Sequence, residues 1–279
     1  MKVEEFVDDW IASPPMAYLQ LKNAIEDEES TFQDFTSIIS NDPAMVARLL
    51  KIVNSPLYGF PSQIETIQHA LTIVGVTELS ELVLATAVMN QFQGIPSRLL
   101  NVDSFWEHCL TCGIASKILA GYLHESELDR MNVAGMLHDI GRLVICKKAP
   151  KQAQLIFYLC ETREEMICKV EKEVMGFDHA EVGASLLKAW QLPPRLVEVV
   201  ACSHFPERSK NYPIDAAIVH VADILTYQIQ LGGSGERIIP MIDNTVWERT
   251  KLTPEIVESA QEDLRKIYEG QEDAIAQPN

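Results

Sequence analysis

The chain has 279 residues, 47% of them hydrophobic, and is therefore long enough to form a sizeable core. Its formal net charge is −17, from 40 acidic and 23 basic residues. This balance argues against nucleic-acid binding, because phosphate contacts require clustered lysine and arginine. No apolar run reaches the ~18 residues of a membrane span, and the acidic start lacks the apolar core of a signal peptide. We expect a cytoplasmic globular protein that binds neither membranes nor nucleic acid.

Apolar residues recur at helical spacing along most of the chain. One such face consists of Val46, Leu49, Leu50 and Val53, which lie three and four positions apart. The β-branched runs at 218–219 and 238–239 lack the sustained alternation of a strand. The sequence therefore predicts an all-α fold without a sheet.

Capping residues indicate where several helices begin. A polar residue before proline is typical of a first helical turn, and Ser or Thr three positions before Glu or Gln is typical of a capping box. The predicted starts are Asp42-Pro43 and Thr253-Pro254, and the predicted capping boxes are Ser30 with Gln33 and Thr162 with Glu165.

Proline and glycine clusters predict the breaks between helices. These breaks lie at Pro14-Pro15, Ser55–Pro61, Gly94–Asn101, Pro193-Pro194, Phe205–Pro213 and Gly232–Gly235. The break that begins at Gly94 separates a helical N-terminal half, residues 1–97, from a second helical half, residues 98–269. Residues 270–279 are polar, and we expect this tail to fray.

The segment His138-Asp139-Ile140-Gly141-Arg142-Leu143 places a nitrogen ligand beside a carboxylate ligand after an apolar stretch. A buried aspartate costs free energy unless it is paired, hydrogen-bonded or bound to a metal. The pair therefore fits either a structural clamp or a site for a divalent transition metal.

Other candidate metal ligands lie in apolar helical segments at wide spacing along the chain. A single histidine on an apolar helix is usually a core residue, but several such positions favour a shared site. Helical bundles build metal sites from side chains on facing helices, so distance in sequence does not exclude clustering. The additional candidates are His108, His179, His204 and Asp223.

The order His, His-Asp, His, His, Asp resembles the HD superfamily of metal-dependent phosphohydrolases. Residues 39–59, which include Asn41-Asp42-Pro43 and Asn54-Ser55-Pro56, and residues 64–75 are similar to the opening signature of HDOD domains. HDOD domains are bacterial, signalling-associated relatives of the HD-GYP cyclic dinucleotide phosphodiesterases. The similarity extends from about residue 10 to about residue 230. It implies a helical N-terminal half packed on an HD-like helical bundle.

The resemblance also implies a metal centre. It assigns His108, His138, Asp139 and Asp223 to one ion, of iron, manganese or zinc. His179 and His204 would reach towards a second ion, with Asp139 as the bridge, and we expect one ion rather than two. His220, one turn before Asp223, could orient that carboxylate. Arg142 could contact a phosphate, although an ion pair at the surface or with the N-terminal half is the favoured interpretation.

The sequence departs from the HD-GYP pattern at the end of the motif. Ser203-His204 stands where those enzymes usually have two histidines, and Asn211-Tyr212-Pro213 stands where they have Gly-Tyr-Pro. We therefore favour a regulatory module that binds a signalling protein or a ligand. The alternative is a metal-dependent phosphohydrolase acting on a nucleotide or phosphodiester. We expect little or no turnover of cyclic dinucleotides.

Overall fold

A computed structural model describes residues 2–8, 15–55, 58–60, 62–92, 94–125, 128–242 and 244–275. These residues form helices and no strand, which confirms the predicted all-α fold. Within the same residues, no helix is both long and apolar enough to cross a membrane. The predicted breaks at Pro14, Pro56 and Pro61 lie outside the described residues.

The chain folds into two compact units. We call the unit that carries the candidate ligands the site unit and the other the companion unit. The companion unit comprises residues 13–91 and 262–279, and the site unit comprises residues 1–12 and 92–261. The predicted boundary after residue 97 stays a prediction. The last helix continues to Ile275, past the start of the predicted frayed tail, and residues 276–279 lie outside the described part.

The companion unit contains five complete helices and the end of the last one. The five are α2 (Met16–Glu26), α3 (Phe32–Ser40), α4 (Pro43–Val53), α5 (Ile67–Val74) and α6 (Val76–Gln91). Helix α2 packs on α6 and α3, and α4 packs on α6.

Capping explains where several of these helices begin. The Asp42 carboxylate accepts the backbone N–H groups of Ala44 and Met45 at 2.9 and 3.1 Å, which confirms the predicted start of α4. The capping box of α3 is Thr31 with Asp34, one residue after the predicted Ser30. The prediction at Ser30 is wrong because the Asp34 carboxylate accepts the backbone N–H and the hydroxyl of Thr31, at 2.8 and 2.6 Å.

The site unit contains the remaining helices. They are α1 (Val3–Asp8), α7 (Val102–Tyr122), α8 (Leu128–Leu137), α9 (Ile140–Lys148), α10 (Pro150–Arg163), α11 (Ile167–Met175), α12 (His179–Ala189), α13 (Pro194–Cys202), α14 (Pro213–Gln228), α15 (Asn244–Arg249) and the start of α16 (Pro254–Ile275). A short 3-10 turn, Pro206–Arg208, precedes α14.

Two packing centres organise the site unit. Helix α7 packs against α8 and α14, and helix α12 packs against α9 and α13. Helix α7 is buried on several sides, which explains why its sequence shows no polar stripe. This packing brings together the helix ends and helix centres that carry the predicted metal ligands.

The predicted helix starts in the site unit have different outcomes. The Thr253 hydroxyl accepts the N–H of Ile256 at 3.3 Å, which confirms the predicted start of α16. The predicted capping box at Thr162 is wrong, because Thr162 lies near the end of α10 and its hydroxyl donates to the carbonyl of Tyr158. Helix α11 starts later, at Ile167.

Candidate metal centre

The six predicted ligands converge in the site unit. His108 and Asp223 project from the middle of α7 and α14, whereas the other four lie at helix ends. The turn between α8 and α9 carries His138 and Asp139, the first residue of α12 is His179, and His204 follows α13. His204 is the most exposed of the six, and the other five are buried. Their role as metal ligands stays a prediction.

Two glycines allow the helices to approach closely enough for this convergence. A Cβ atom on Gly135 of α8 would lie 2.6 Å from the carbonyl oxygen of Cys112 in α7. A Cβ atom on Gly141 of α9 would overlap the carbonyl oxygen of His179 in α12. The glycine beside the His-Asp pair therefore sets the distance between Asp139 and His179.

The first ligand group consists of His108, His138 and Asp223. The Nε2 atoms of His108 and His138 lie 3.0 and 3.3 Å from Asp223 Oδ1. Nε2 of His138 also lies 3.4 Å from Oδ1 of Asp139, so the two carboxylates face the same ring nitrogen.

The ring of His138 is oriented by the backbone of the preceding helix, α8. Its Nδ1 lies 2.7 Å from the carbonyl oxygen of Gly135. Because a carbonyl only accepts hydrogen bonds, Nδ1 carries a proton, and Nε2 is the ring nitrogen that remains to bind a metal ion. This is the usual arrangement behind a metal-bound histidine.

The second ligand group consists of Asp139, His179 and His204. The Nε2 atoms of His179 and His204 lie 3.0 and 3.3 Å from Asp139 Oδ1, and 2.6 Å from each other. His204 Nδ1 lies 3.7 Å from Asp223 Oδ2, so this ring extends between the two carboxylates.

Arg142 is part of the centre and not a surface residue. Its side chain is buried, and its Nη1 lies 3.2 Å from Asp139 Oδ2. The expectation of a pair at the surface or with the N-terminal half is wrong, because α9 points this arginine into the core. A buried guanidinium requires a carboxylate partner, and Asp139 supplies it.

The positive groups determine the ionisation of the two aspartates. Burial alone would raise the pKa of Asp139, but Arg142, His138 and His179 hold it well below the usual range. The pKa of Asp223 is likewise lowered against burial, mainly by His138 and His108. Both carboxylates are therefore ionised at neutral pH and available as ligands.

The same carboxylates act on His138. Burial opposes the protonated ring, but Asp139, Cys112 and Asp223 together raise the pKa of His138 well above its ordinary value. In the absence of a metal, a proton therefore takes the position on Nε2 that an ion would occupy. Metal binding at this position has to release that proton.

Unsatisfied buried atoms indicate that the residues fit a metal ion. Nε2 of His138 and Oδ2 of Asp139 are fully buried and make no well-aligned hydrogen bond with any described residue, although Oδ2 of Asp139 is ion-paired with Arg142. Buried polar atoms without partners are rare unless an ion or water completes them. Both atoms belong to residues whose donor types suit a divalent transition metal.

Three supporting residues were not predicted from the sequence. Oε2 of Glu171 accepts the backbone N–H of His179 at 2.8 Å and lies 2.5 Å from its Nδ1, so it fixes this ring. Ser234 accepts from Arg142 through its carbonyl and hydroxyl oxygens, at 2.8 and 2.5 Å. Glu198 accepts hydrogen bonds from the loop that follows His204.

Two residues next to His204 form hydrogen bonds with the backbone. Nδ1 of His220 donates to the carbonyl of Ser203 at 3.0 Å, so it supports the residue before His204. The hydroxyl of Ser203 donates to the carbonyl of Val200 at 3.0 Å, at the end of α13. The hydroxyl hydrogen of Ser203 is therefore bonded to a carbonyl at the end of the same helix.

A hollow in the surface is lined by basic side chains, several of them from the segment that follows His204 in the sequence. It has a volume of about 780 Å³ and is open to solvent, and its lining includes Arg208, Lys210 and Arg249 together with Glu207. These basic side chains are notable in a chain whose formal net charge is −17. They provide local positive charge for an anionic group.

Comparisons with known proteins agree with this arrangement. The model of the HDOD domain family matches residues 11–206. The chain belongs to the HDOD family. An uncharacterized protein from Treponema pallidum is 25% identical over 215 residues, which are 75% of this chain and 40% of the relative. The HDOD chain thus spans less than half the length of this relative.

Two solved structures show the same HDOD fold. One, named "Putative phosphohydrolase", is from Shewanella amazonensis and is 25% identical, with a TM-score of 0.75 over 95% of this chain and 93% of that chain. The other is an HDOD domain protein of unknown function from Geobacter sulfurreducens. It is 21% identical, with a TM-score of 0.74 over 98% of this chain and 93% of that chain.

Proposed function

We propose that this chain is a regulatory HDOD module that holds one divalent transition metal and binds a signalling protein or a ligand. The ion would be iron, manganese or zinc, with His108, His138, Asp139 and Asp223 as its ligands. One observation carries the proposal: the buried Nε2 of His138 faces two ionised carboxylates without a well-aligned hydrogen bond to any described residue.

The metal's role in this proposal is structural and regulatory. A bound divalent ion would neutralise the buried carboxylates and could also activate water if a substrate site existed. His138 and Asp139 lie at a turn between two helices, and Asp223 and His108 lie on two others. Holding these four side chains would connect α7, α8, α9 and α14 and thereby stabilise the site unit.

The segment after α13 favours a module over an enzyme. The hydroxyl of Ser203, where related phosphodiesterases have a histidine, donates to a helix carbonyl. The following loop is fixed by Glu198, which accepts from Ser209 Oγ and from the N–H groups of Lys210 and Asn211 at 2.7–2.8 Å. These contacts support a loop with a structural role instead of one that positions a substrate.

The alternative function is a metal-dependent phosphohydrolase that acts on a nucleotide or phosphodiester. The convergence of all six candidate ligands favours it, as does the partial exposure of His204. Arg208, Lys210 and Arg249, which line the hollow formed partly by the segment after His204, could attract an anionic group. The name of the Shewanella amazonensis relative, which contains the word phosphohydrolase, adds support.

One experiment separates the two functions. The protein is purified without chelator, its metal content is measured, and hydrolysis of a cyclic dinucleotide and a generic phosphodiester is followed with added manganese or iron. We expect bound metal and no turnover above buffer. Turnover near ~1 s⁻¹ that is lost in His138→Gln but kept in His69→Gln would establish the hydrolase instead. Protein without metal would contradict both functions as stated.

A further inference from the structure

We propose that the guanidinium of Arg142 is a permanent cation of this centre, which takes the place of a second metal ion. The inference rests on the proposed metal centre and extends it. It would explain why the proposed centre holds one ion although six candidate ligands converge there. Four features of the centre support it: the position of the guanidinium, the spacing of the ligands, the anchoring of the arginine, and the charge balance.

The position of Arg142 coincides with the second ligand group. Its Nη1 lies 3.2 Å from Asp139 Oδ2, and its Nη2 lies 3.4 Å from Asp139 Oδ1. Nη2 also lies 2.9 Å from Nε2 of His179. Arginine only donates, so Nε2 of His179 cannot bind a metal ion while its single lone pair accepts from the guanidinium. The Nδ1–H of His179 faces Glu171, which leaves this one lone pair for either the guanidinium or a metal ion.

The spacing of the ligand atoms differs between the two groups. Around an ion with metal–ligand distances of ~2.1 Å, neighbouring ligand atoms are roughly 3.0–3.4 Å apart. The contacts of His108 and His138 with Asp223 and Asp139, at 3.0–3.4 Å, have this spacing. In the second group, His179 and His204 lie 3.0 and 3.3 Å from Asp139 Oδ1, but their Nε2 atoms are only 2.6 Å apart, so the two rings would have to separate before both could bind one ion.

The guanidinium is anchored on the side opposite Asp139. Nη1 donates to both oxygens of Ser234, and the Ser234 hydroxyl also bonds to the hydroxyl of Tyr227. Ser234 belongs to a loop fixed on α7, where the N–H of Gly233 donates to the carbonyl of Ser104 at 2.9 Å. Gly232 has φ +67°, and a Cβ atom there would overlap the backbone nitrogen of His108. The loop thus holds the arginine in one place.

The charges of the centre balance with one metal ion. Three buried carboxylates, Asp139, Asp223 and Glu171, carry three formal negative charges. The guanidinium and one divalent ion carry three positive charges. A second divalent ion beside Arg142 would leave an excess of buried positive charge, which is costly in the low dielectric of a core. Removal of the guanidinium would vacate the space beside Asp139 and remove one positive charge, so a second ion could bind there.

Metal stoichiometry tests this inference directly. Wild-type protein, Arg142→Gln and Arg142→Lys are saturated with Mn²⁺, desalted and analysed for manganese per chain, and the electron paramagnetic resonance spectrum distinguishes single from paired ions. We expect one isolated ion in the wild type and in Arg142→Lys, which keeps the charge. In Arg142→Gln we expect close to a twofold increase, with the spectrum of a coupled pair.

Several outcomes would overturn the inference without affecting the proposed metal centre. These are two ions in the wild type, or a single ion in a folded Arg142→Gln variant. If Arg142→Gln does not fold, titration of the wild type with excess Mn²⁺ still decides, because a second binding event at the centre contradicts the inference and its absence supports it. A wild type that binds no ion would refute the proposed metal centre itself.

Discussion

The two ligand groups contain similar residues but have different surroundings. In the first group, His108 and His138 face Asp223 directly. In the second, the same donor types surround a buried arginine that pairs with Asp139 and His179. A set of candidate ligands therefore does not by itself predict how many ions bind. In the proposed centre, the guanidinium between the ligands of the second group makes the difference.

The largest expected effect comes from removing the cation of the second group. Arg142→Met leaves the buried Asp139 carboxylate without its partner, which should lower the free energy of unfolding of metal-free protein by about 3–5 kcal/mol. Urea unfolding with and without chelator measures this loss. Arg163→Met, which removes an exposed pair with Glu173, is the control and should cost less than about 1 kcal/mol. Equal effects of the two substitutions would show that Arg142 has no special role.

The next effect concerns the first group. Metal at a hundredfold excess over its dissociation constant should stabilise the wild type by about 2.7 kcal/mol. His138→Gln should abolish this increment, because the variant lacks the ring nitrogen that faces both carboxylates. Thermal unfolding with and without Mn²⁺ measures the increment, and His69→Gln in the companion unit is the control. Retention of the full increment in His138→Gln would rule out the first group as the metal site.

A smaller effect is expected from the helix crossing that holds the second group together. Gly141→Ala places a methyl group against the carbonyl of His179, and overpacking of this kind costs about 1–3 kcal/mol. Gly121→Ala on α7 meets no atom of the described residues within 4 Å and should not destabilise the protein. Chemical unfolding compares the two variants. Similar stabilities would mean that α9 and α12 do not need this close approach.

The smallest effect is a pH dependence in the loop after His204. Despite partial burial, hydrogen bonds from Asn211, Ser209 and Lys210 lower the pKa of Glu198 to about 2. A lowered carboxyl pKa stabilises the fold above the pKa of the unfolded chain, ~4.3, and this stabilisation is lost as pH falls towards 2. The Glu198→Gln variant should therefore have a lower free energy of unfolding than the wild type at pH ~6. The difference between the two proteins should be smaller at pH ~3. A difference that does not change with pH would contradict this assignment.

Much of the fold and the set of candidate residues that cluster could be predicted because helical periodicity and the His-Asp pattern are local in sequence. Asp42-Pro43 and Thr253-Pro254 begin helices as predicted, since capping depends on neighbouring residues. The buried face of α4 is rotated from the prediction, with Met45 and Ile52 buried where Val46 and Leu50 were expected. This rotation depends on tertiary neighbours, which periodicity alone does not identify.

The supporting residues could not be predicted because their partners are distant in sequence. Glu171 looks like a solvated helix residue between Val170 and Lys172, and its contact with His179 depends on how α11 meets α12. Ser234 lies 92 positions from Arg142. One signal for Arg142 was available, because its neighbours Ile140, Leu143 and Val144 are apolar and a charge in such a helix requires a buried partner.

Anomalous diffraction at the metal edge tests the central claim most directly. Crystals of the chain grown with Mn²⁺ should show one anomalous peak within ~2.2 Å of Nε2 of His108 and His138 and of carboxylate oxygens of Asp139 and Asp223. The Arg142 guanidinium should remain beside Asp139 and His179. A peak between His179 and His204 with Arg142 displaced, or no peak in the site unit, would contradict the account.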